Sequence, residues 1–207
     1  MLRTSTVGGM RQHRVPLLCL AVFTLVWVLL AIRPRYRADW VLENLLTFVG
    51  MPLAVLTYRR FSFSGRAYVQ ATVFVILNTI GSHYTYSEVP VGDWMRDAFG
   101  FSRNHYDRLV HFSFGLLMLL PIRELAIRNP KAMGGFAVFY LSIAGVAFWS
   151  LTYEIIEWLV AAVADPAAGT AYLGTQGDAW DAQKDMALAC AGALIAAFLD
   201  RLTLSRR

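Results

Sequence analysis

The sequence predicts an all-α membrane protein, a single polytopic domain built as a bundle of about six transmembrane helices. Composition is the first reason: 57% of the 207 residues are hydrophobic and 16% charged, a balance too apolar for an ordinary soluble domain. Segmentation is the second, because runs close to the ~20 apolar residues that cross a bilayer recur along the chain between short connections. The third is that polar residues gather in four clusters: HYTYSE from His83, YDRLVHF from Tyr106, YEIIEW from Tyr153 and GDAWDAQKDM from Gly177. A charge in the middle of a span costs ~2.5–3.5 kcal/mol on insertion scales, so such groups are expected to face one another or a wet cavity.

The first span, Val15 to Ile32, follows RQHR and ends in RPRYR without a small-residue cleavage pattern, which predicts a retained anchor rather than a signal peptide. The second and third run from Trp40 to Tyr58 and from Ala67 to Tyr84. Between the third and the fourth, DWMRDAFGF alternates acidic and aromatic residues as a short interfacial amphipathic segment would, bracketed by Gly92 and Gly100. The fourth span covers Leu109 to Ile127, and the fifth, Gly135 to Ala164, is long enough to tilt. A Gly/Ala loop, ADPAAGTAYLGTQGDA, leads to the sixth, Lys184 to Leu204. Cys19 and Cys190 lie in separate apolar spans with no CxxC or Cys/His grouping, so neither a disulfide framework nor a cysteine metal site is expected.

Net charge is +5, yet the basic residues are scattered over short loops. That pattern is a topology signal, not a nucleic-acid footprint, and the expected partner is the lipid bilayer. Cytoplasmic N- and C-termini would put twelve of the nineteen Lys and Arg residues on the inner side. In that orientation five spans deliver polar residues to the outer face: Glu43 and Asn44; Asn78, Ser82 and His83; Asp107 and His111; Glu154 and Glu157; Asp181 and Asp185.

Helical geometry, ~100° per residue, sharpens the grouping. Glu154 and Glu157 share a stripe with Ser150 one turn below, and Asn104, Asp107 and His111 share a face. Asp178, Asp181 and Asp185 continue into Ala189, Gly192 and Ala196 if the last helix starts as early as Asp178. A small-residue stripe of that kind lets a helix pack closely while its carboxylates point at neighbours.

Imidazole and several carboxylates together can bind a divalent metal ion, transfer protons or hold a translocated cation. The candidate metal ligands are His83, His111, Glu154, Glu157, Asp181 and Asp185. His111, Glu154, Glu157, Asp181 and Asp185 are also the candidate acid/base residues, and Arg108, Lys184 and Gln176 the candidate substrate-binding ones. Plainer roles stand beside these. Asn104 with Asp107 and Thr175 with Asp178 fit capping boxes, Asp181 and Asp185 suit a helix N-terminus, Arg108 and Lys184 can pair with nearby acids, His111 with the two glutamates can form a buried ion-pair network, and the tryptophans fit an interface belt.

The motifs RNHYDRLVHFSFG, YEIIEW and GTQGDAWDAQKDM, in that order, resemble the uncharacterised bacterial inner-membrane family typified by YjdF, from the second span onward. That resemblance implies a plasma-membrane location and no assigned reaction. Asp107, Arg108, His111 and Phe112, then Glu154 and Glu157, then Asp181, Asp185 and Gly192 are more loosely similar to VanZ-like proteins, in which Asn usually stands at the position of Asp185. This similarity implies a link to the cell envelope. The expected function is thus lipid or envelope-precursor chemistry at the outer face, with a cation- or proton-coupled transporter or small-molecule binder as the alternative class and a purely structural membrane protein as the third.

The charge bias predicts that both termini are cytoplasmic. A C-terminal fluorescent-protein fusion after Arg207 should fluoresce and a phosphatase fusion there stay inactive; the reverse pair of signals inverts the orientation.

Overall fold

In the computed structural model the described residues are 6–127, 133–163 and 174–204, with side chains from His13 to Arg201 within those ranges. They form eight α-helices: α1 (Thr6–Ala31), α2 (Arg37–Glu43), α3 (Leu45–Thr57), α4 (Gly65–Tyr84), α5 (Pro90–Phe99), α6 (Tyr106–Ala126), α7 (Gly135–Val163) and α8 (Asp181–Leu204), with a 3-10 turn at Tyr86–Glu88. No strand occurs among the described residues. By length and composition α1, α6, α7 and α8 can each cross a membrane, and α2 with α3 form a bent pair that counts as a fifth span if the two halves cross together. The remaining long helix, α4, has 20 residues but carries Gln70, Asn78 and His83, and it packs between α1 and α6.

The run expected as one helix from Trp40 to Tyr58 is instead two, set at 43°. Asn44 is the cause. Fully buried at the break, its Nδ2 donates to the Trp40 carbonyl (2.7 Å) and to Ser82 Oγ (3.1 Å), while its Oδ1 accepts from Trp27 Nε1 (2.8 Å). An asparagine bonded to its own helix and to two others holds the chain in one bent conformation, since the amide has no water to turn to in an apolar surround. The bend leaves Glu43 buried inside the bundle while α3 has no fully buried residue and touches its neighbours through Phe48, against Trp27 and Trp40.

The last helix also differs from expectation at its start. Asp178 lies before it, in a turn where its Oδ1 accepts from the Trp180 N–H (3.1 Å), and the helix proper begins at Asp181. The inward carboxylate stripe therefore starts at Asp181 and continues with Asp185. Part of the Gly/Ala loop, residues 164–173, lies outside the described residues.

Helices α6 and α8 run parallel from the polar end of the bundle and make its most extensive contact. Their backbones touch. A Cβ on Gly115 would collide with the Ala189 carbonyl oxygen, and one on Gly192 with the Phe112 carbonyl oxygen. Each glycine seats against the partner's main chain, the close approach that van der Waals packing between membrane helices requires in the absence of a hydrophobic drive. Below this contact Leu119, Ile122, Val146, Ala189, Ala193 and Ala197 form the apolar core shared with α7. At the far end Asp200 accepts from Arg66 and Arg123, each at 3.1 Å, and so joins α4, α6 and α8. The outer surface is apolar, with Leu17, Leu56, Phe148 and Val163 exposed, as lipid contact demands.

Segment α5, anticipated from the acidic–aromatic alternation, is a helix begun by Pro90 at its first position and closed by Gly100 in the left-handed conformation (φ 67°).

Replacing Gly115 by Ala should force α6 and α8 apart, at a cost of ~1–3 kcal/mol as for other overpacked sites. Gly50 in α3 has open space around it, so Gly50→Ala should be neutral or stabilising by ~0.5–1 kcal/mol. Thermal unfolding in detergent checks both; equal melting temperatures for the two variants would contradict the contact.

Candidate functional site

The α6–α8 contact carries a constellation at its polar end. Asp107 and His111, one turn apart on α6, meet Asp185 on α8 so that one ligand atom from each lies within 4.8 Å of the other two. His111 Nε2 stands 3.5 Å from Asp107 Oδ1 and 3.5 Å from Glu154 Oε1 of α7. Those gaps are long for hydrogen bonds. They match the separation, about 3.4 Å, of two ligands each ~2.1 Å from a tetrahedral ion.

Burial raises the stakes. His111 and Asp185 are buried, as is Ser150 one turn below Glu154. Asp185 Oδ1, Glu154 Oε1 and Ser150 Oγ have no hydrogen-bond partner. Leaving a buried polar atom unmatched costs ~1–3 kcal/mol, and Asp185 Oδ1 and Glu154 Oε1 are two such atoms beside His111.

Beside this cluster lies a charge-matched clasp. Arg103, 6% exposed, donates to both carboxylate oxygens of Asp181 (2.5 and 3.3 Å) and to the carbonyls of Thr175 (2.9 Å) and Gly174 (3.2 Å). Arg108 bonds Asp178 and also reaches Asp181 (3.3 Å). Lys184 completes the group at 2.6 Å from Asp178. The Lys184 ammonium first, then the Trp180 N–H, and Arg108 as well, hold the Asp178 carboxyl well below its usual range. Burial, with Arg108 and Arg103 nearby, pushes the His105 imidazole down. The planar five-donor fork of arginine suits this task, since it bonds a carboxylate and loop carbonyls together.

Asn104 fixes the approach. Its backbone N–H donates to Gln176 Oε1 (3.0 Å) and its carbonyl accepts from Gln176 Nε2 (2.9 Å), while its Nδ2 reaches Val89 O and Asp93 Oδ1, both at 3.0 Å. Its Oδ1 accepts from the Tyr106 N–H at 3.0 Å, an Asx turn ahead of α6, whose N-cap is His105 with no side-chain cap bond, so the box expected between Asn104 and Asp107 does not form. Gly92 leaves the room for that side chain.

On the other side of His111, the Tyr153 ring meets the imidazole edge-on at 5.9 Å between centroids. The Tyr153 hydroxyl donates to Glu43 Oε2 at 2.9 Å, and Glu157 follows one turn further along α7.

Of the residues singled out in the sequence, His111, Glu154 and Asp185 converge. Asp181 adjoins them but is engaged by Arg103, and Glu157 sits with Tyr153 and Glu43. His83 is elsewhere: its Nδ1 lies 2.7 Å from the Leu30 carbonyl, tying α4 to α1. Arg108 and Lys184 are bound to Asp178, and Gln176 to the Asn104 main chain. Three contributors are outside the candidate ligand, acid/base and substrate-binding residues: Asp107 and Glu43, which the sequence places among the polar groups of the outer face, and Arg103, a loop cation whose burial no periodicity signals.

Replacing Arg103 by Leu leaves the Asp181 carboxylate only the longer contact to Arg108 (3.3 Å), and breaking a buried pair costs ~3–5 kcal/mol. Arg103→Leu should therefore melt well below the parent, and adding Asp181→Asn should restore part of the loss. A parental melting temperature for the single variant would contradict the clasp.

A family model described as predicted membrane protein (DUF2238) matches residues 15–206. The inner membrane protein YjdF of Escherichia coli strain K12 is 36% identical over 171 residues, 83% of this chain and 81% of that protein. No solved structure matches. The chain therefore belongs to the DUF2238 family of predicted membrane proteins.

Proposed function

We propose that this is a multi-pass protein of the bacterial inner membrane whose Asp107, His111 and Asp185 bind a divalent metal ion at the extracytoplasmic face, in the service of lipid or envelope-precursor chemistry. The observation that carries the reading is the convergence of those three ligand atoms within 4.8 Å. The unpartnered Asp185 Oδ1 in a buried setting supports it independently. Two carboxylates and one imidazole form a mixed O/N donor set suited to Zn²⁺, Mn²⁺ or Fe²⁺ rather than to softer ions. An ion bound there supplies Lewis-acid polarisation of a carbonyl or phosphoryl oxygen.

The chain's own residues take the remaining roles. Glu154, 3.5 Å from His111, is placed to exchange a proton at its Oε1. Asp181 acts through the clasp that orients α8, and Glu157 through Tyr153. Arg108, Lys184 and Gln176 line the rim, where a cation released from Asp178 would meet an anionic headgroup. The inner-membrane location is supported by the similarity to YjdF, the envelope role by the looser resemblance to VanZ-like proteins, and the outward orientation by the basic-residue bias.

A transporter ranks second on a specific ground. The apolar cluster of Leu119, Ile122, Val146, Ala193 and Ala197 lies directly below the site, whereas a translocation route needs polar groups through the depth of the bundle.

Metal binding is tested on purified protein by thermal unfolding with Zn²⁺ or Mn²⁺. At a hundredfold excess over Kd a ligand of the folded state adds about 2.7 kcal/mol, so the parent should gain several degrees while His111→Ala and Asp185→Asn gain none. No divalent-ion shift in the parent would sink the reading.

A further inference from the structure

The end of the bundle away from the ionisable cluster is basic. Arg14 lies near the start of the membrane run of α1, Arg59 and Arg60 follow α3, Arg66 begins α4, and Arg123 and Arg201 stand in the last turns of α6 and α8. Two acids share this end, and both are engaged: Glu124 accepts from the Ser64 N–H at 2.8 Å, and Asp200 from Arg66 and Arg123 at 3.1 Å each. The chain can supply no other, since it has no Asp or Glu before Asp39, between Glu43 and Glu88, between Glu124 and Glu154 or after Asp200. Among the described residues the Arg14 and Arg59 side chains have neither a hydrogen bond nor an ion pair. Their counter-charge has to come from outside the chain.

These two arginines flank a cavity of about 850 Å³, lined by His13, Arg14, Leu17, Tyr58, Arg59 and Ser62, a volume in the ~300–1,000 Å³ range of ligand sites. Its walls are tied together. His13 Nδ1 lies 2.5 Å from the Tyr58 hydroxyl, which joins α1 to the end of α3. The connection onward to α4 is pinned by the Phe61 N–H to the Thr57 carbonyl (2.8 Å), the Phe63 N–H to the Tyr68 hydroxyl (3.3 Å) and the Ala67 N–H to Ser64 Oγ (3.2 Å). Each arginine also has an exposed leucine one turn deeper along its helix, Leu17 after Arg14 and Leu56 before Arg59. Cation at the rim and leucine one turn below it follow the sequence of a phospholipid, headgroup and then acyl chain.

We propose that this cavity binds the headgroup of an anionic phospholipid from the leaflet at this end, the cytoplasmic one in the orientation the charge bias predicts. Arg14 and Arg59 take the phosphate, whose oxygens match the planar guanidinium fork. When the Tyr58 hydroxyl donates to His13 Nδ1, the ring keeps its hydrogen on Nε2 and offers it as a further donor. Ser62 adds a hydroxyl, and Leu17 and Leu56 meet the acyl chains. Basic pockets between membrane helices take anionic headgroups in this way. A lipid held there fastens α1 to the α3–α4 connection, where α3 itself has no buried residue. The site is separate from the Asp107, His111 and Asp185 cluster and does not depend on whether an ion binds there.

Native mass spectrometry of delipidated protein in detergent, titrated with phosphatidylglycerol or phosphatidylethanolamine and with inorganic phosphate as competitor, reads the site. Phosphatidylglycerol should bind well ahead of phosphatidylethanolamine, and phosphate at the same concentration should not displace it. Arg14→Gln and Arg59→Gln should each weaken phosphatidylglycerol binding about fivefold, and the double variant about 25-fold. Arg60→Gln removes an equal charge from the adjacent exposed residue, outside the cavity lining, and should leave the affinity unchanged. Full affinity in the double variant, equal losses in Arg60→Gln and Arg59→Gln, or equal binding of the two lipids overturns the proposal. Displacement by inorganic phosphate overturns it as well, in favour of a site for a free anion. Should the double variant fail to fold, the two single variants measured against Arg60→Gln decide the question.

Discussion

The architecture depends on the backbone contact between α6 and α8. Gly115 and Gly192 allow each helix to press on the other's main chain, and this holds the two helices in one axial register as well as at one separation. Axial register is what a site needs. Asp107 and His111 come from one helix and Asp185 from the other, so a slip of a single turn, ~5.4 Å, would separate ligand atoms that now lie within 4.8 Å of one another. Packing of small residues below the site thereby sets the geometry of the ionisable residues within it.

Register along the axis still leaves the helix ends free to splay, and the two ends of the bundle are tied by different means. At one end Asp200 receives Arg66 and Arg123. At the other, Arg103 and Arg108 hold Asp181 and Asp178, and Asn104 with Gln176 locks the two connecting segments together. Pairing the outer acids leaves the inner ones without a matching cation. Asp107, Asp185, Glu154, Glu157 and Glu43 lie inward of that clasp with His111 among them, a carboxylate-rich interior whose like charges a bound cation would balance.

Much of this was legible in the sequence because the bilayer constrains the chain so strongly. Span lengths follow from hydrocarbon thickness, and helices lie along the apolar runs, although the run from Trp40 to Tyr58 is broken at Asn44 and α4 is not among the helices apolar enough to cross by composition. The small-residue stripe on α8 read through to Ala189 and Gly192, and the one-turn spacing of Asp107 and His111 gave their shared face. Local signals failed where distant contacts decide. The bend at Asn44 arises from Trp27 and Ser82 on two other helices. Arg103 looked like a loop cation because its partners are more than seventy residues away, and His83 looked like a ligand because polarity at a helix end does not tell which neighbour the ring meets. Glu43 meets the Tyr153 hydroxyl across 110 residues of sequence, a pairing that no local pattern announces.

The claim that backbone packing assembles the ligand cluster is tested most directly by pulsed electron paramagnetic resonance of Mn²⁺ bound to the purified protein. The account predicts coupling to one histidine nitrogen, absent in His111→Ala and lost or strongly weakened in Gly115→Ala, although Gly115 offers no ligand atom. A nitrogen coupling that survives unchanged in Gly115→Ala would show that the cluster does not depend on the α6–α8 contact, and one that survives in His111→Ala would place the ion elsewhere.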